Sequence, residues 1–265
     1  MNHLKLESRY VLQCKLESDA GLHVGTGVAS VDSDAPFLRQ NGSPFIPGSS
    51  LRGVMRSTVE RIMNTLAVGK CCTLFQPGVP GCDAGNQERR KELEGLTSRE
   101  LDERKGTLHF CPVCGLFGST LLASRLKVTD AVFPKGSSRT PSRRDGVGID
   151  RDTGAAKEKI KYDFEVLERG CQFEFSIQLE NAEPNDFGLL YIAVKEMEQG
   201  FDVGGKRSRG LGRVKLTGYT VQFFDQVPER GHDLRAFLDR GMASADKSKF
   251  EGWLKEGFTR LMEAR

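Results

Sequence analysis

The chain has 265 residues, of which 38% are hydrophobic and 28% charged, the balance of a globular protein rather than of a disordered one. No apolar run reaches the roughly 18 residues that a membrane-spanning helix needs, and residues 1–7 show no signal-peptide pattern, so a cytoplasmic protein with no membrane partner is expected. Lysine and arginine exceed aspartate and glutamate by 39 − 36 = +3, too small a surplus to mark a nucleic-acid binder, so such a function has to come from where the cations sit.

In chain order, Tyr10, Leu12, Cys14 and Leu16 alternate with polar residues and predict a half-buried strand over 10–17. A loop rich in Gly, Asp and Ser follows over 21–42. Pro47 and Gly48 then break the chain before a helix that Ser49 or Ser50 would cap, with Leu51, Val54, Met55, Ile62 and Leu66 as its apolar face. Residues 67–120 read as an insertion containing a charged stretch, 88–105, expected as a solvated helix. Strand-like runs at 121–133 and 162–180 flank a segment rich in Gly, Ser and Arg. Asn185 or Asp186 would open a second helix, with Leu189, Leu190, Ile192, Ala193 and Met197 inward and Gly200 as its stop. A last strand carries Val214, Leu216, Tyr219, Val221 and Phe223, and Gly218 interrupts its alternation as a bulge would.

The order β, α, β, β, α, β is the split-βαβ, ferredoxin-like pattern, so the expected class is α+β. The expected division is a core of residues 1–66 and 121–224 with a protruding segment at about 134–161, a cysteine-rich insertion at 67–120, and a helical tail at 225–265.

Seven cysteines stand at 14, 71, 72, 82, 111, 114 and 171. Cys14 and Cys171 fall in apolar alternation and read as core residues. The other five crowd into 71–114, which in a reducing compartment favours metal ligation over disulfides. Cys111-Pro-Val-Cys114 has the two-residue gap that presents two sulfurs to a tetrahedral zinc; Cys82 and either Cys71 or Cys72 would complete the set, with His109 as a substitute. Four protein ligands would make that zinc structural.

Three basic features suggest polyanion binding. Residues 203–214 read V-G-G-K-R-S-R-G-L-G-R-V, where glycines let backbone amides approach a phosphate and Lys206, Arg207, Arg209 and Arg213 supply charge. Arg52 and Arg56 share a helix face near its N-terminus. Residues 134–144 hold Lys135, Arg139, Arg143 and Arg144 without an acid, and run into a glycine-rich segment that reads as an arm or hairpin. The loop at 21–42 carries His23, Asp32 and Asp34, any of which could take part in acid–base or metal chemistry.

Ile46-Pro-Gly-Ser-Ser-Leu-Arg-Gly, Cys111-Pro-Val-Cys-Gly-Leu-Phe-Gly and Gly204-Gly-Lys-Arg-Ser-Arg-Gly-Leu-Gly-Arg resemble, in this order, the successive signatures of the RAMP superfamily. More narrowly, they are similar to those of the backbone subunit of type III CRISPR effector complexes, and residues 146–165 resemble that subunit's thumb. The resemblance spans about residues 10–224. It implies an RRM-like core that assembles head to tail with further copies and other subunits along a CRISPR guide RNA, its thumb interrupting the duplex with the complementary target RNA at regular intervals.

The RNA contacts so implied are Ser49, Ser50, Arg52 and Arg56 at the first helix, Arg143, Arg144 and Arg151 on the thumb, and Gly204, Gly205, Lys206, Arg207, Arg209 and Arg213 in the glycine loop. The implied chemistry is endonucleolytic cleavage of the target RNA, dependent on Mg or Mn. Asp34, in Asp34-Ala-Pro-Phe, matches the family's catalytic Asp-x-Pro pattern better than Asp32 does. The expected zinc ligands are Cys72, Cys82, Cys111 and Cys114. Two other readings stand beside this one: a purely structural RNA-binding subunit, and a stand-alone nuclease processing the guide precursor with His23 as general base.

Overall fold

The computed structural model describes residues 5–66, 71–72, 82–83, 87–104, 109–230 and 232–263. Positions 67–70, 73–81, 84–86 and 105–108 of the expected insertion, and 231 and 264–265 of the expected tail, lie outside the described residues.

The strands are β1 (Ser8–Ser18), β2 (Arg39–Gln40), β3 (Ser43–Pro44), β4 (Leu126–Val128), β5 (Ser142–Ile149), β6 (Ala156–Val166), β7 (Gln172–Glu180), β8 (Phe201–Asp202), β9 (Arg213–Asp225) and β10 (Ala243–Ala245). The α-helices are α1 (Gly48–Leu66), α2 (Gln87–Glu94), α3 (Ser98–Glu103), α4 (Pro112–Phe117), α5 (Pro184–Gln199), α6 (Leu234–Arg240) and α7 (Lys247–Glu263). The main sheet is antiparallel at every pairing, in the order β10-β9-β1-β7-β4 with β8 beside β9, so the fold mixes helices with an antiparallel sheet.

The alternation in β1 puts Tyr10, Leu12, Cys14 and Leu16 into the core while Gln13 and Lys15 stay exposed. Leu12 stands opposite Ile177 on β7 and Val221 on β9, and these rows meet Leu51, Met55 and Val59 of α1 and Leu189, Leu190 and Ala193 of α5. Cys14 and Cys171 are both buried in this core. The bulge on β9 is present: Lys15 pairs with Gly218 and Leu16 with Leu216, which leaves Thr217 as the extra residue.

Several local expectations are corrected. Helix α1 begins at Gly48, so Ser49 and Ser50 lie in its first turn, and the Gly48 N–H is capped from afar by Asp130 Oδ1 at 2.8 Å. Helix α5 begins at Pro184; Glu183 is its N-cap and Asp186 closes the reciprocal capping box from the third position. The run 121–133 is strand only over Leu126–Val128, with isolated bridges at Ala131 and Val132. The run 162–180 splits between two sheets, its first part belonging to the β5–β6 hairpin and the rest to β7.

The tail adds an edge strand, β10, which the sequence did not announce because Ala243-Ser244-Ala245 has no apolar alternation. Helix α7 packs on α5 so closely that a Cβ at Gly188 would come within 2.6 Å of the Gly257 carbonyl oxygen. No helix among the described residues is long and apolar enough to cross a membrane.

Candidate nucleic-acid interface

The glycine loop between β8 and β9 is folded back on itself and onto the segment after β1. The Val203 N–H donates to the Gly212 carbonyl at 2.9 Å, the Gly212 N–H to Gly21 at 2.8 Å, and the Gly205 N–H to His23 at 2.9 Å. Gly204 and Gly212 have φ of +83° and +102°, and a Cβ at Gly212 would lie 2.6 Å from the Val203 carbonyl oxygen, so both positions need glycine for two reasons at once. Lys206 is left-handed as well, with φ +58°, and opens a short 3-10 turn, Arg207–Arg209. Its ammonium lies 4.4 Å from the centre of the Phe164 ring and 5.1 Å from that of Tyr162. Arg209 donates to the Tyr162 hydroxyl, with its guanidinium carbon 5.6 Å from that ring's centre. Arg207 and Arg209 are exposed, and Arg213 reaches the Gln199 carbonyl at 3.0 Å.

The two arginines of α1 take a different direction from the one their spacing suggested. Arg56 is buried: its Nε donates to Glu60 at 2.7 Å, one terminal nitrogen donates to the Gly118 carbonyl at 2.7 Å, and the other reaches Cys114 Sγ at 3.4 Å. Three of its five N–H donors thus join α1 to Glu60 and the cysteine turn, so its main engagement is within the fold. Arg52, half-buried, donates to the Phe117 carbonyl. Ser49 is exposed and Ser50 half-buried on the first turn.

The loop before α1 is laced to the β5–β6 hairpin. Asp34 is exposed; its N–H donates to Asp163 Oδ1 at 3.1 Å, and its Oδ2 accepts the Asp163 N–H at 3.0 Å. Glu165 accepts the Phe37 N–H at 2.6 Å and pairs with both terminal nitrogens of Arg39 at 2.8 Å, which holds its carboxyl below the usual range. Asp32 is exposed. His23 is buried, with Nδ1 2.7 Å from the Glu165 carbonyl oxygen and its ring edge-on to Phe164.

Along β6, Tyr162 and Phe164 therefore meet the glycine loop while Asp163 and Glu165 meet the loop that carries Asp34. None of these four had been singled out from the sequence, although the alternation Tyr-Asp-Phe-Glu was there to be read. The hairpin's arginines are partly committed: Arg143 pairs with Asp163 and Arg144 with Glu168, yet their side chains remain 60% and 42% exposed. Arg151 is exposed at the hairpin's tip, and Val147 and Ile149 also face solvent.

Cys72, Cys82, Cys111 and Cys114 are all buried, with their sulfurs within 4.8 Å of one another, and could hold a metal ion. Cys72 Sγ is 3.6 Å from Cys111 Sγ and 3.3 Å from Cys114 Sγ. Cys111 caps α4 by accepting the Cys114 N–H, and Cys82 accepts the Cys111 N–H at 3.3 Å. Hydrogen bonds from Cys114 first, then from the other thiols, draw Cys111 below the ordinary thiol range. Cys71 is buried beside the four-sulfur group, where its thiol is hydrogen-bonded to Cys111, and His109 is exposed.

Comparison with known proteins adds a family and relatives. Residues 15–215 match the model of the RAMP superfamily. The chain is similar to three proteins named CRISPR system Cms endoribonuclease Csm3. The one from Methanothermobacter thermautotrophicus is 31% identical, across 83% of this chain and 88% of the relative. That from Enterococcus italicus is 27% identical, across 76% and 86%. That from Streptococcus thermophilus is 26% identical, across 80% and 90%.

Proposed function

Since the chain belongs to the RAMP superfamily, we propose that it is the guide-binding backbone subunit of a type III CRISPR interference complex and an endoribonuclease that cuts the bound target RNA. The observation that carries this reading is the strand β6, which ties a basic glycine loop on one face to an exposed carboxylate, Asp34, on the other. Guide sequence is then read by base pairing, and the protein supplies only backbone contacts and spacing.

The partners of this reading are the CRISPR guide RNA, the complementary target RNA, further copies of the chain and other subunits of a cytoplasmic complex. The core is read as ferredoxin-like, RRM-like, comprising 1–66 and 121–224; the order β9-β1-β7-β4 supports it. The β5–β6 hairpin is its thumb, 67–120 its insertion and 225–265 its tail. Lys206, Arg207, Arg209 and Arg213 contact guide phosphates, with Gly204 and Gly205 letting the backbone approach. Ser49, Ser50 and Arg52 flank the start of α1, and Arg143, Arg144 and Arg151 line the thumb, whose exposed Val147 and Ile149 suit a wedge between base pairs.

Cleavage is attack of a target ribose 2′-oxygen on the adjacent phosphorus. The new O–P bond forms as the bond to the 5′-oxygen breaks, the hydroxyl proton is lost and the leaving oxygen gains one, giving a cyclic phosphate and a 5′-hydroxyl. One Asp34 oxygen accepts the Asp163 N–H and the carboxylate is exposed, a donor set that fits a largely hydrated cation. Asp34 would hold a Mg or Mn ion, whose chemistry would be to supply positive charge against the charge that develops on the phosphate. Asp34 orients the reacting groups, and interruption of the duplex by the thumb frees the target nucleotide to bring its 2′-oxygen in line.

The four cysteines fit zinc: Zn–S bonds of about 2.3 Å in a tetrahedron give sulfur–sulfur edges of about 3.8 Å, close to the spacings seen. Such a zinc, held by Cys72, Cys82, Cys111 and Cys114, is structural.

The test is Asp34→Ala in the assembled complex with labelled complementary RNA. Guide and target binding persist and regularly spaced cuts disappear; unchanged cutting would overturn the catalytic assignment, and absence of cuts with the unaltered complex would favour a purely structural subunit.

A further inference from the structure

We propose that Asp163 is a positioning residue for target-RNA cleavage, holding Asp34 in place through a reciprocal pair of hydrogen bonds between the backbone of each residue and the carboxylate of the other. This rests on the reading of Asp34 as the catalytic carboxylate. The Asp34 N–H donates to Asp163 Oδ1 at 3.1 Å and the Asp163 N–H donates to Asp34 Oδ2 at 3.0 Å, across 129 residues of sequence. The pair therefore fixes both the main chain at Asp34 and the rotation of its carboxylate, leaving the side chain exposed toward RNA.

Asp163 is itself well held. It is buried, Arg143 pairs with its Oδ2, and the buried Ser33 beside Asp34 also bonds to it. These partners, Ser33 first, keep the Asp163 carboxyl below the ordinary range, so it is an ionised acceptor at neutral pH. On either side of it in β6, Tyr162 and Phe164 are gripped by Lys206 and Arg209. The strand that positions Asp34 is thus the strand that the guide-binding loop holds, and the carboxylate is set in register with the guide. Loss of the Asp163 carboxylate leaves the backbone N–H of that residue on Asp34 Oδ2 but frees the main chain at Asp34, and a shift of an ångström or so carried to the Asp34 carboxylate can cost on the order of 100-fold in rate.

The experiment uses assembled complexes carrying Asp163→Ala, Asp163→Asn, Asp163→Glu and, in parallel, Asp34→Ala. With Asp163→Ala, single-turnover cleavage at the position facing this subunit falls on the order of 100-fold while guide and target affinities hold, and the Asp34 amide exchanges its hydrogen faster. Asp163→Asn keeps an oxygen to accept the Asp34 N–H but not the charge that pairs with Arg143, so cleavage is restored to within a few-fold of the unaltered complex. Asp163→Glu, the variant to use if the alanine chain fails to assemble, keeps the charge but displaces the acceptor by a methylene and cuts as poorly as alanine. If Asp34→Ala is inactive while Asp163→Ala and Asp163→Glu cut at the unaltered rate, the proposal is overturned and the Asp34 reading stands. If Asn is as poor as Ala, the charge and not the clamp matters, and the proposal again fails. Normal cutting by Asp34→Ala removes the underlying reading, and the proposal with it.

Discussion

Gly204 is pressed against His23: a Cβ at 204 would overlap the His23 carbonyl oxygen, the same oxygen that accepts the Gly205 N–H at 2.9 Å. Its φ of +83° adds a second barrier to any side chain. Gly204→Ala is therefore expected to push the glycine loop off the segment at 21–23 and to weaken guide binding by on the order of tenfold or more, measured by titration at fixed low salt. Gly210 provides the contrast. Its φ is +78° but no atom lies near its would-be Cβ, so Gly210→Ala carries only the conformational cost, about 1 kcal/mol, and a correspondingly small loss of affinity.

Arg56 and Arg207 look alike in the sequence and should behave oppositely. Removing the buried Arg56 leaves Glu60 and the Gly118 carbonyl without their partner, so Arg56→Ala is expected to cost about 3 kcal/mol of stability in urea unfolding. The salt dependence of guide binding, measured on the chain that remains folded, should be unchanged. Arg207 is exposed, and Arg207→Ala should leave the unfolding midpoint in place while lowering the salt slope by about 0.7, the loss of one single-strand phosphate contact.

Much of this was legible in the sequence for a physical reason: period-2 alternation reports burial, and β1 and β9 alternate almost without fault. The glycine loop was visible because glycine and cation identity is local information. The burial of Arg56 was not legible because helical spacing says which residues share a face but not what that face meets; the Cys114 and Gly118 partners lie 58 and 62 residues away. The end of β6 and β7 looked like one strand over 162–180 because both alternate, and only pairing separates them. The alternation over 162–165 shows which face of β6 Asp163 lies on, but its contact with Asp34, 129 residues away, is encoded by no local pattern.

The cysteine group makes a prediction about which neighbour binds. Cys72 lies within the four-sulfur group and the adjacent Cys71 outside it, although both are buried. Purified chain is expected to carry about one zinc, measured by elemental analysis. Cys72→Ser should lose the ion and lower the melting temperature, because Arg56 and Arg52 fasten α1 to this same turn. Cys71→Ser should retain the ion. Stripping the metal with a strong chelator should reproduce the Cys72→Ser melting temperature, and retention of full stability in the metal-free chain would count against a structural centre.

The pairing of Glu165 with Arg39 gives a pH signature. Arg39 first, then the Phe37 N–H, draw the Glu165 carboxyl below its ordinary value of 4.5, so the folded chain binds this proton less readily than the unfolded chain. The stabilisation is complete above the unfolded value and is lost as the pH falls through the lower, folded one. Glu165→Gln should therefore be less stable than the unaltered chain by about 1 kcal/mol at pH 7, a modest figure because Arg39 is partly exposed to water. That gap should shrink as the pH drops below 4.5 and close once Glu165 is protonated in both states. Urea unfolding of the two chains at several pH values checks it. A gap independent of pH would mean that Glu165 acts through its shape and its hydrogen bond to Phe37 alone, and not through the charge that ties β6 to the loop bearing Asp34.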